Sequence, residues 1–522
     1  MITVEESQLQ EQLAVDEITF AIPAQSFGIS CAISAEEALP VVTEFALRIA
    51  YVCGSLSPAQ IQDFFGFSNK EVDAVIQALL SERLIKWNEE HLELTNYALT
   101  RFQDSSDNLP RFFKIQDWSA EVVFDLISFS PAARPSRIRR VRSQVELATR
   151  NFDKQSRTLQ FAEQSFQQNF RQICTKEKAE IYKISAIDPG ERFSIPLSCT
   201  FHLDLDGQMS VVRSIDDKSF GSRLEISESI TDALANQVRG NNESLREFIR
   251  IFDDKLLGRY VSDDTFDLRR YVQQIHLTKL GGYDDDRVMP LLGALHLPSN
   301  TELLLDRIQA ELKRADQAES EDLDVCENPE DRDGKVKPKL NWDALWCAPK
   351  STLWARSRSA RQLAQKLDRS LMPHSDGTSP QRGGLRVLLP VEQGAPRERL
   401  ATYVDQFPRL YAGKFSLMEG NLEVLLVPGC LVCALFHFHL AHQSITIPIG
   451  FLSSHPDHLR TIAALLSRQI SMRPDTISVM KEEGGSAAVQ DLLALVDRLS
   501  NSSEVVTPTR SGRPLLSLKK TL

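Results

Sequence analysis

The chain has 522 residues, enough for three or four domains. Its 42% apolar and 25% charged content is ordinary for a globular protein, and no apolar run approaches the roughly 18 residues of a membrane span. A net charge of −11 argues against a protein that coats nucleic acid. The N-terminus has neither a basic start nor an apolar signal segment, and the eight cysteines are scattered. Together these features predict a cytoplasmic protein with reduced thiols.

Residues 1–33 read as an acidic N-terminal segment. A first domain is expected over residues 34–104. Its first helix is placed at about 36–53, with Leu39, Val42, Phe45, Ala46 and Ile49 on one stripe. Ser34 and Glu37 have the spacing of a capping box, and Gly54 ends the helix. Ser57 and Pro58 open a second helix, with Ile61, Phe64 and Phe65 on its apolar side. After the Gly66-Phe67 turn, Ser68 and Glu71 cap a third helix bearing Val72, Val75, Ile76, Leu79 and Leu80. Two short strands, 84–87 and 92–94, follow around Asn88-Glu89-Glu90-His91, and Thr95 caps a closing helix to Phe102.

This order resembles a winged helix-turn-helix domain. The resemblance implies that the third helix is the one that would enter a DNA groove. That helix carries Glu71 and Asp73 against one cation, Lys70. Residues 1–103 hold 15 acidic and 5 basic side chains. Duplex binders place cations where phosphates will lie and offer Arg, Lys, Asn or Gln to base edges. Here only Asn69, Lys70 and Gln77 qualify, so protein docking or a structural role is expected in place of base reading.

Residues 105–314 are expected to form a middle domain of helices and a small antiparallel sheet. It opens on Arg134, Arg137, Arg139, Arg140 and Arg142, which suit phosphate or an acidic partner. They equally suit the chain's own carboxylates, and both readings stay open. A heptad-like helix is predicted over 143–173, with Val145, Ala148, Phe152, Leu159, Ala162, Phe166 and Ile173 in register. Such a helix would be about 45 Å long and offers a seam for a second copy. Residues 201–205 and 208–213 are expected to pair across an Asp206-Gly207 type I′ turn. Asp204 with Asp216-Asp217-Lys218 has the spelling of a metal-dependent nuclease, but strand ends and the turn account for each residue.

Residues 315–340 are acidic and poor in large apolar side chains, and read as a linker. A C-terminal α/β domain is expected over 341–499, and a flexible tail over 500–522. From 341 to 470 there are 14 basic and 9 acidic residues, with Arg356, Arg358 and Arg361 at the start of a helix. The order of strands and helices is similar to a phospholipase D-type half. That family needs His-x-Lys, and none of the ten histidines has a lysine two places on. The resemblance therefore implies the fold without the chemistry.

Cys430, Cys433, His437, His439 and His442 are zinc-ligand types in a short stretch. Strand alternation puts Cys433, His437 and His439 on one face and Cys430 and His442 on the other. Core cysteines and paired or exposed histidines are expected in place of a metal site. Ala412-Gly413-Lys414-Phe415 holds the Gly-Lys of a P-loop without its other glycine or its Ser/Thr.

The fold expected is multidomain α+β: a winged helix, a long heptad-like helix with a small antiparallel sheet, and a C-terminal α/β domain. The function expected is a non-catalytic adaptor or regulatory subunit of a bacterial assembly, in DNA processing or phage defence, without metal or cofactor. The alternative is a nucleic-acid-binding protein or divalent-metal nuclease using Arg134, Arg137, Arg139, Arg140, Arg142, Arg356, Arg358 and Arg361. Protein partners are expected, nucleic acid could meet the basic patches, no membrane is involved, and the 143–173 helix offers self-association.

Overall fold

A 25-residue strand, β1 (Leu13–Glu37), opens the described part of the chain. The computed structural model describes residues 12–37, 39–103, 110, 112–136, 141–176, 178–214, 223–235, 241–253, 255–262, 265–278, 285–326, 342–372, 384–391, 396–440, 445–479 and 485–502. The chain divides into two compact units. The smaller holds Ala24–Ser136 and Thr149–Phe193; the larger holds Met1–Pro23, Arg137–Ala148 and Ser194–Leu522. Mixed helix and sheet run through both.

In the smaller unit, Ile29, Cys31, Ile33 and Ala35 of β1 are buried and alternate with Gly28, Ser30, Ala32 and Ser34. That period of two is a half-buried strand. After it come α1 (Val41–Cys53), β2 (Ser55–Leu56), α2 (Pro58–Phe65), α3 (Asn69–Ser81), β3 (Ile85–Asn88), β4 (His91–Leu94) and α4 (Asn96–Gln103). The next strand, β5 (Phe112–Asp125), pairs antiparallel with β1, from Ala24 opposite Asp125 to Glu37 opposite Phe112. The expected capping box at Ser34 is corrected. Ser34 lies opposite Ile115 in the sheet, and the helix starts only after Pro40. The residue before a proline is biased away from helix, and the strand pairing takes the residues up to Glu37.

Local signals shape α1 to α4. The Ser57 hydroxyl accepts from the Gln60 amide, and the Gln60 side chain accepts from the Ser57 amide. Gly66 takes the left-handed conformation (φ 69°) that ends α2. The Thr95 hydroxyl accepts from the Ala98 amide at the start of α4. Leu47, Ile61, Val72, Ile76, Leu79, Leu92, Leu94 and Phe102 share one core.

The predicted continuous helix over 143–173 is also corrected. Val145 and Glu146 form a short strand, β6, parallel to Phe20 and Ala21 within the larger unit. The helix is two pieces, α5 (Phe152–Ser156) and α6 (Thr158–Ile173). Asn151 starts the first by accepting from the Asp153 amide, a local bond that competes with helix continuation. Arg157, at φ −115° and ψ 40°, separates the two. Ala162, Phe166 and Phe170 pack against Phe27, Ile29 and Ile33 of β1, so this part of the stripe is buried inside its own unit. Phe152, one of the heptad residues, is 81% exposed.

Beside β1 on its other side is β7 (Glu180–Leu203). Its end, 198–203, pairs with β8 (Met209–Ser214) in the larger unit. The predicted two-residue turn there is a five-residue connection. Asp204 closes it by accepting from the amides of Asp206 and Gln208. Asp216, Asp217 and Lys218 lie outside the described residues.

Helices α7 (Leu224–Ala235), α8 (Leu245–Phe252) and α9 (Lys255–Gly258), the short β9 (Val261–Ser262) and β10 (Thr265–Phe266), and α10 (Leu268–Thr278) follow. Asp253 ends α8 in the left-handed conformation (φ 47°). Then come β11 (Val288–Leu292) and α11 (Pro298–Cys326). This helix overrides the linker predicted from 315; residues 327–341 lie outside the described set.

The rest builds an eight-stranded sheet from β11, β12 (Asp343–Cys347), β13 (Gly384–Pro390), β14 (Leu410–Gly413), β15 (Leu422–Val427), β16 (Leu431–His439), β17 (Thr446–Ser453) and β18 (Ser478–Val479). The order is β11-β17-β16-β15-β12-β13-β14-β18. Strands β12, β13 and β14 run parallel, and the other pairings are antiparallel. Helices α12 (Arg358–Leu371), α13 (Pro396–Tyr403), α14 (Pro456–Ser471) and α15 (Gly485–Ser502) accompany them. Among the described residues, no helix is long and apolar enough to cross a membrane.

Arg386 of β13 is fully buried and bonds Asp343 of β12 (2.6 Å) and Asp491 of α15 (2.7 Å). Gly450 of β17 is opposite Leu435 and Leu291. A Cβ there would run into the Ala434 carbonyl oxygen and lie 3.1 Å from the Leu435 Cα. Backbone cannot give way as a side-chain tip can, so Gly450→Ala should cost roughly 3 kcal/mol. Chemical denaturation reads the loss, and an unchanged midpoint would contradict the close approach.

Candidate functional site

Helix α1 buries Ala46, Leu47 and Ala50 and exposes its other side. Val41 is 70% exposed, Phe45 42% and Val52 82%. With Arg48 they follow the i, i+4, i+7, i+11 spacing of one helix face. The Arg48 guanidinium lies 5.0 Å over the Phe45 ring and 3.5 Å from the Glu44 carboxylate. Phe45 is therefore not part of the buried stripe that periodicity gave it. The signal available in sequence was its spacing from Val41 and Val52, which places all three away from Leu47.

Helix α3 presents Lys70, Asp73, Ala74 and Gln77 to solvent. Glu71 folds back to accept from the Ser68 amide (2.8 Å) and hydroxyl (2.9 Å). Those bonds, the amide's first, hold its carboxyl below the ordinary value and keep it charged at neutral pH. α1 thus exposes apolar area, and α3 exposes negative charge.

The arginines chosen from sequence are divided between the two units, with three of them outside the described residues. Arg134 is in the smaller unit, pinned between Glu121 (2.7 Å) and Glu191 (3.2 Å). Arg137, Arg139 and Arg140 lie outside the described residues. In the larger unit, Arg142 and Arg358 are exposed and Arg361 is half-buried. Arg356 donates to the carbonyls of Ser143 (2.9 Å) and Gln144 (3.0 Å), and burial lowers its pKa. It clamps a loop in place of meeting phosphate.

Cys430 and Cys433 are buried in the large sheet, and burial raises the Cys433 thiol. His442 lies outside the described residues. Among the described residues, no three His, Cys, Asp or Glu side chains gather to hold a metal ion.

His437 belongs to a buried network that the sequence did not reveal. Its Nε2 lies 2.7 Å from the Glu423 carboxylate, and its Nδ1 is 3.0 Å from the Thr446 hydroxyl. The Trp346 indole donates to the other Glu423 oxygen at 2.9 Å. Burial works to raise the Glu423 carboxyl, but the bonds from His437, Trp354 and Trp346 leave it below its ordinary value. Burial, then His437, pushes His439 down to about 4, so it is neutral. His439 meets the Asn421 side-chain oxygen at 3.1 Å, and Asn421 donates onward to the Ser244 hydroxyl. Both nitrogens of His437 are thus engaged by the framework. The one local signal was an acid inside the apolar run Leu422–Val427.

A cleft of about 300 Å³ lies beyond the other end of the β16–β17 hairpin, lined by His455, His458, Lys255, Arg259 and Asp285 and by apolar residues that include Phe252 and Phe451. His455 caps α14 by accepting from the Asp457 amide. Hydrogen bonds from Arg287 pull Asp285 down to about 2. Asp457 pairs with Arg460 at 2.7 Å. Asp285 and Asp457 are thus paired, while Lys255 and Arg259 make no ion pair among the described residues.

No family model, curated protein or solved structure matches the chain.

The Glu423 pKa is lower folded than unfolded, so its stabilisation is present above the ordinary carboxylate range and is lost as pH falls. Removing one partner of a buried pair costs about 3 kcal/mol. Glu423→Gln should show that deficit in urea at pH 7, and the deficit should narrow as pH drops through the carboxylate range. An equal deficit at both ends would show that the charge is not what the network uses.

Proposed function

We propose that this chain is a non-catalytic adaptor or regulatory subunit, and that residues 41–103 are a winged helix-turn-helix module used to dock a protein. The order of α1 to α4 with β2, β3 and β4, and the caps at Ser57 and Thr95, support the winged-helix reading. The observation that carries the docking reading is the face of α1. Val41, Phe45 and Val52 are turned outward together on one helix face, whereas Leu47, Ile61, Val72, Ile76, Leu79, Leu92, Leu94 and Phe102 make the module's core; Phe64, Trp87 and Tyr97 are exposed as well. Burying such side chains contributes roughly 1.5–3 kcal/mol each, a gain available only from a partner.

The chemistry of that partner follows from charge. The first 103 residues hold 15 acidic and 5 basic side chains. The face suits a protein surface with an apolar centre and a cationic rim. Charged Glu71 and exposed Asp73 on α3 work against a nucleic-acid phosphate in the same place. The second reading, nucleic-acid binding, rests on exposed Arg142 and Arg358 of the larger unit.

A double substitution separates the readings. Val41→Asp with Val52→Asp alters two exposed positions and should leave the melting temperature within about 2 °C, as surface changes do. Tagged wild-type and variant chains would be recovered from source cells and their partners quantified. A stoichiometric protein partner lost from the variant is expected. Unchanged partners, with a salt-dependent shift of duplex DNA by both chains, would sink the docking reading.

A further inference from the structure

The large sheet has a second cleft, of about 620 Å³, at the carboxyl ends of its three parallel strands. Lys350 follows β12, Val391 follows β13 and Lys414 follows β14, and all three line it. In open α/β sheets, ligands bind outside the carboxyl ends of the strands. Arg473, just past the end of α14, completes the wall with Gln469 and Ser416.

Three of the eight lining residues are cations and none is acidic. Lys414 and Arg473 make no ion pair among the described residues, in contrast to Arg386 and Arg287 of the same unit. A recess lined by one sign of charge focuses field and raises the local concentration of the opposite ion. Gln469 and Ser416 add neutral hydrogen-bonding groups. Beside them are Phe415 and Met472, the latter 58% exposed, a flat ring and a soft thioether. The Gly413-Lys414 pair, which lacks the rest of a P-loop, thus stands where a strand end delivers a lysine to the recess.

We propose that this cleft binds a nucleoside di- or triphosphate. Lys414, Arg473 and Lys350 take the phosphates, and the base lies on Phe415 and Met472. The volume is of the size that small-molecule sites have. Phosphate supplies the charge the recess lacks, and a base stacks on an aromatic face whatever its sequence context. This goes beyond the docking reading and uses none of its residues, so either can fail alone.

The test is calorimetry on the full chain at low salt with ATP, inorganic pyrophosphate, adenosine and a single-stranded DNA 20-mer as separate probes. ATP should bind in a one-to-one ratio, pyrophosphate more weakly, and adenosine not at the same concentrations. Lys414→Glu with Arg473→Glu should weaken ATP at least tenfold, and the milder Lys414→Gln should weaken it at least threefold with unchanged melting. Phe415→Ala should weaken ATP but not pyrophosphate. ATP affinity unaltered by Lys414→Gln would overturn the site. Single-stranded DNA binding that Lys414→Gln weakens, with no ATP binding to the native chain, would assign the cations to a polynucleotide and overturn the nucleotide reading as well.

Discussion

A charged carboxylate in the middle of an eight-stranded sheet has to be surrounded by donors. Glu423 is on β15, between β12 and β16, where desolvation of an ion costs several kcal/mol. Its donors come from separate strands: Trp346 from β12 and His437 from β16. Thr446 of β17 then holds the far side of His437. A slip of one residue in any of these strands would turn the side chain to the other face and leave the charge unmet. The network therefore fixes the register of four neighbouring strands. Arg386 does the same nearer the edge, tying β13 to β12 and α15 through two carboxylates.

That economy makes the exceptions informative. In the interior of the large sheet, polar groups find partners and cysteines lie among apolar neighbours. On α1, by contrast, three large apolar side chains meet no core, and around the β14 end two cations meet no carboxylate among the described residues. Single exposed apolar residues are ordinary on protein surfaces; three on one helix face in an acidic module are not. Each feature is what a surface looks like when the group that completes it is another molecule.

Local chemistry was legible in the sequence and distant pairing was not. Ser57, Gly66 and Thr95 act within four residues of themselves, so spelling alone placed α2 and α4. The strands from Leu422 to Ser453 showed as apolar runs. Strand β1 went unread although Ile29, Cys31, Ile33 and Ala35 alternate strictly, because its partner β5 lies some 90 residues away and Ser34 with Glu37 imitated a cap. The heptad over 143–173 carried apolar spacing across Asn151 and Arg157, where the backbone takes other conformations. Glu423, His437 and Trp346 are far apart in sequence, and spacing cannot show that the sheet brings them together. The cation cleft needed strand direction: Gly413-Lys414 becomes meaningful only once β12, β13 and β14 are known to be parallel.

The central claim is that the acidic N-terminal module meets protein through α1 and not nucleic acid through α3. Site-specific photo-crosslinking inside source cells tests it most directly, with a photoreactive amino acid in place of Phe45 in one chain and of Gln77 in another. The account predicts a discrete protein adduct from position 45 and no nucleic-acid adduct from position 77. Nucleic acid captured at position 77, with nothing captured at 45, would contradict it.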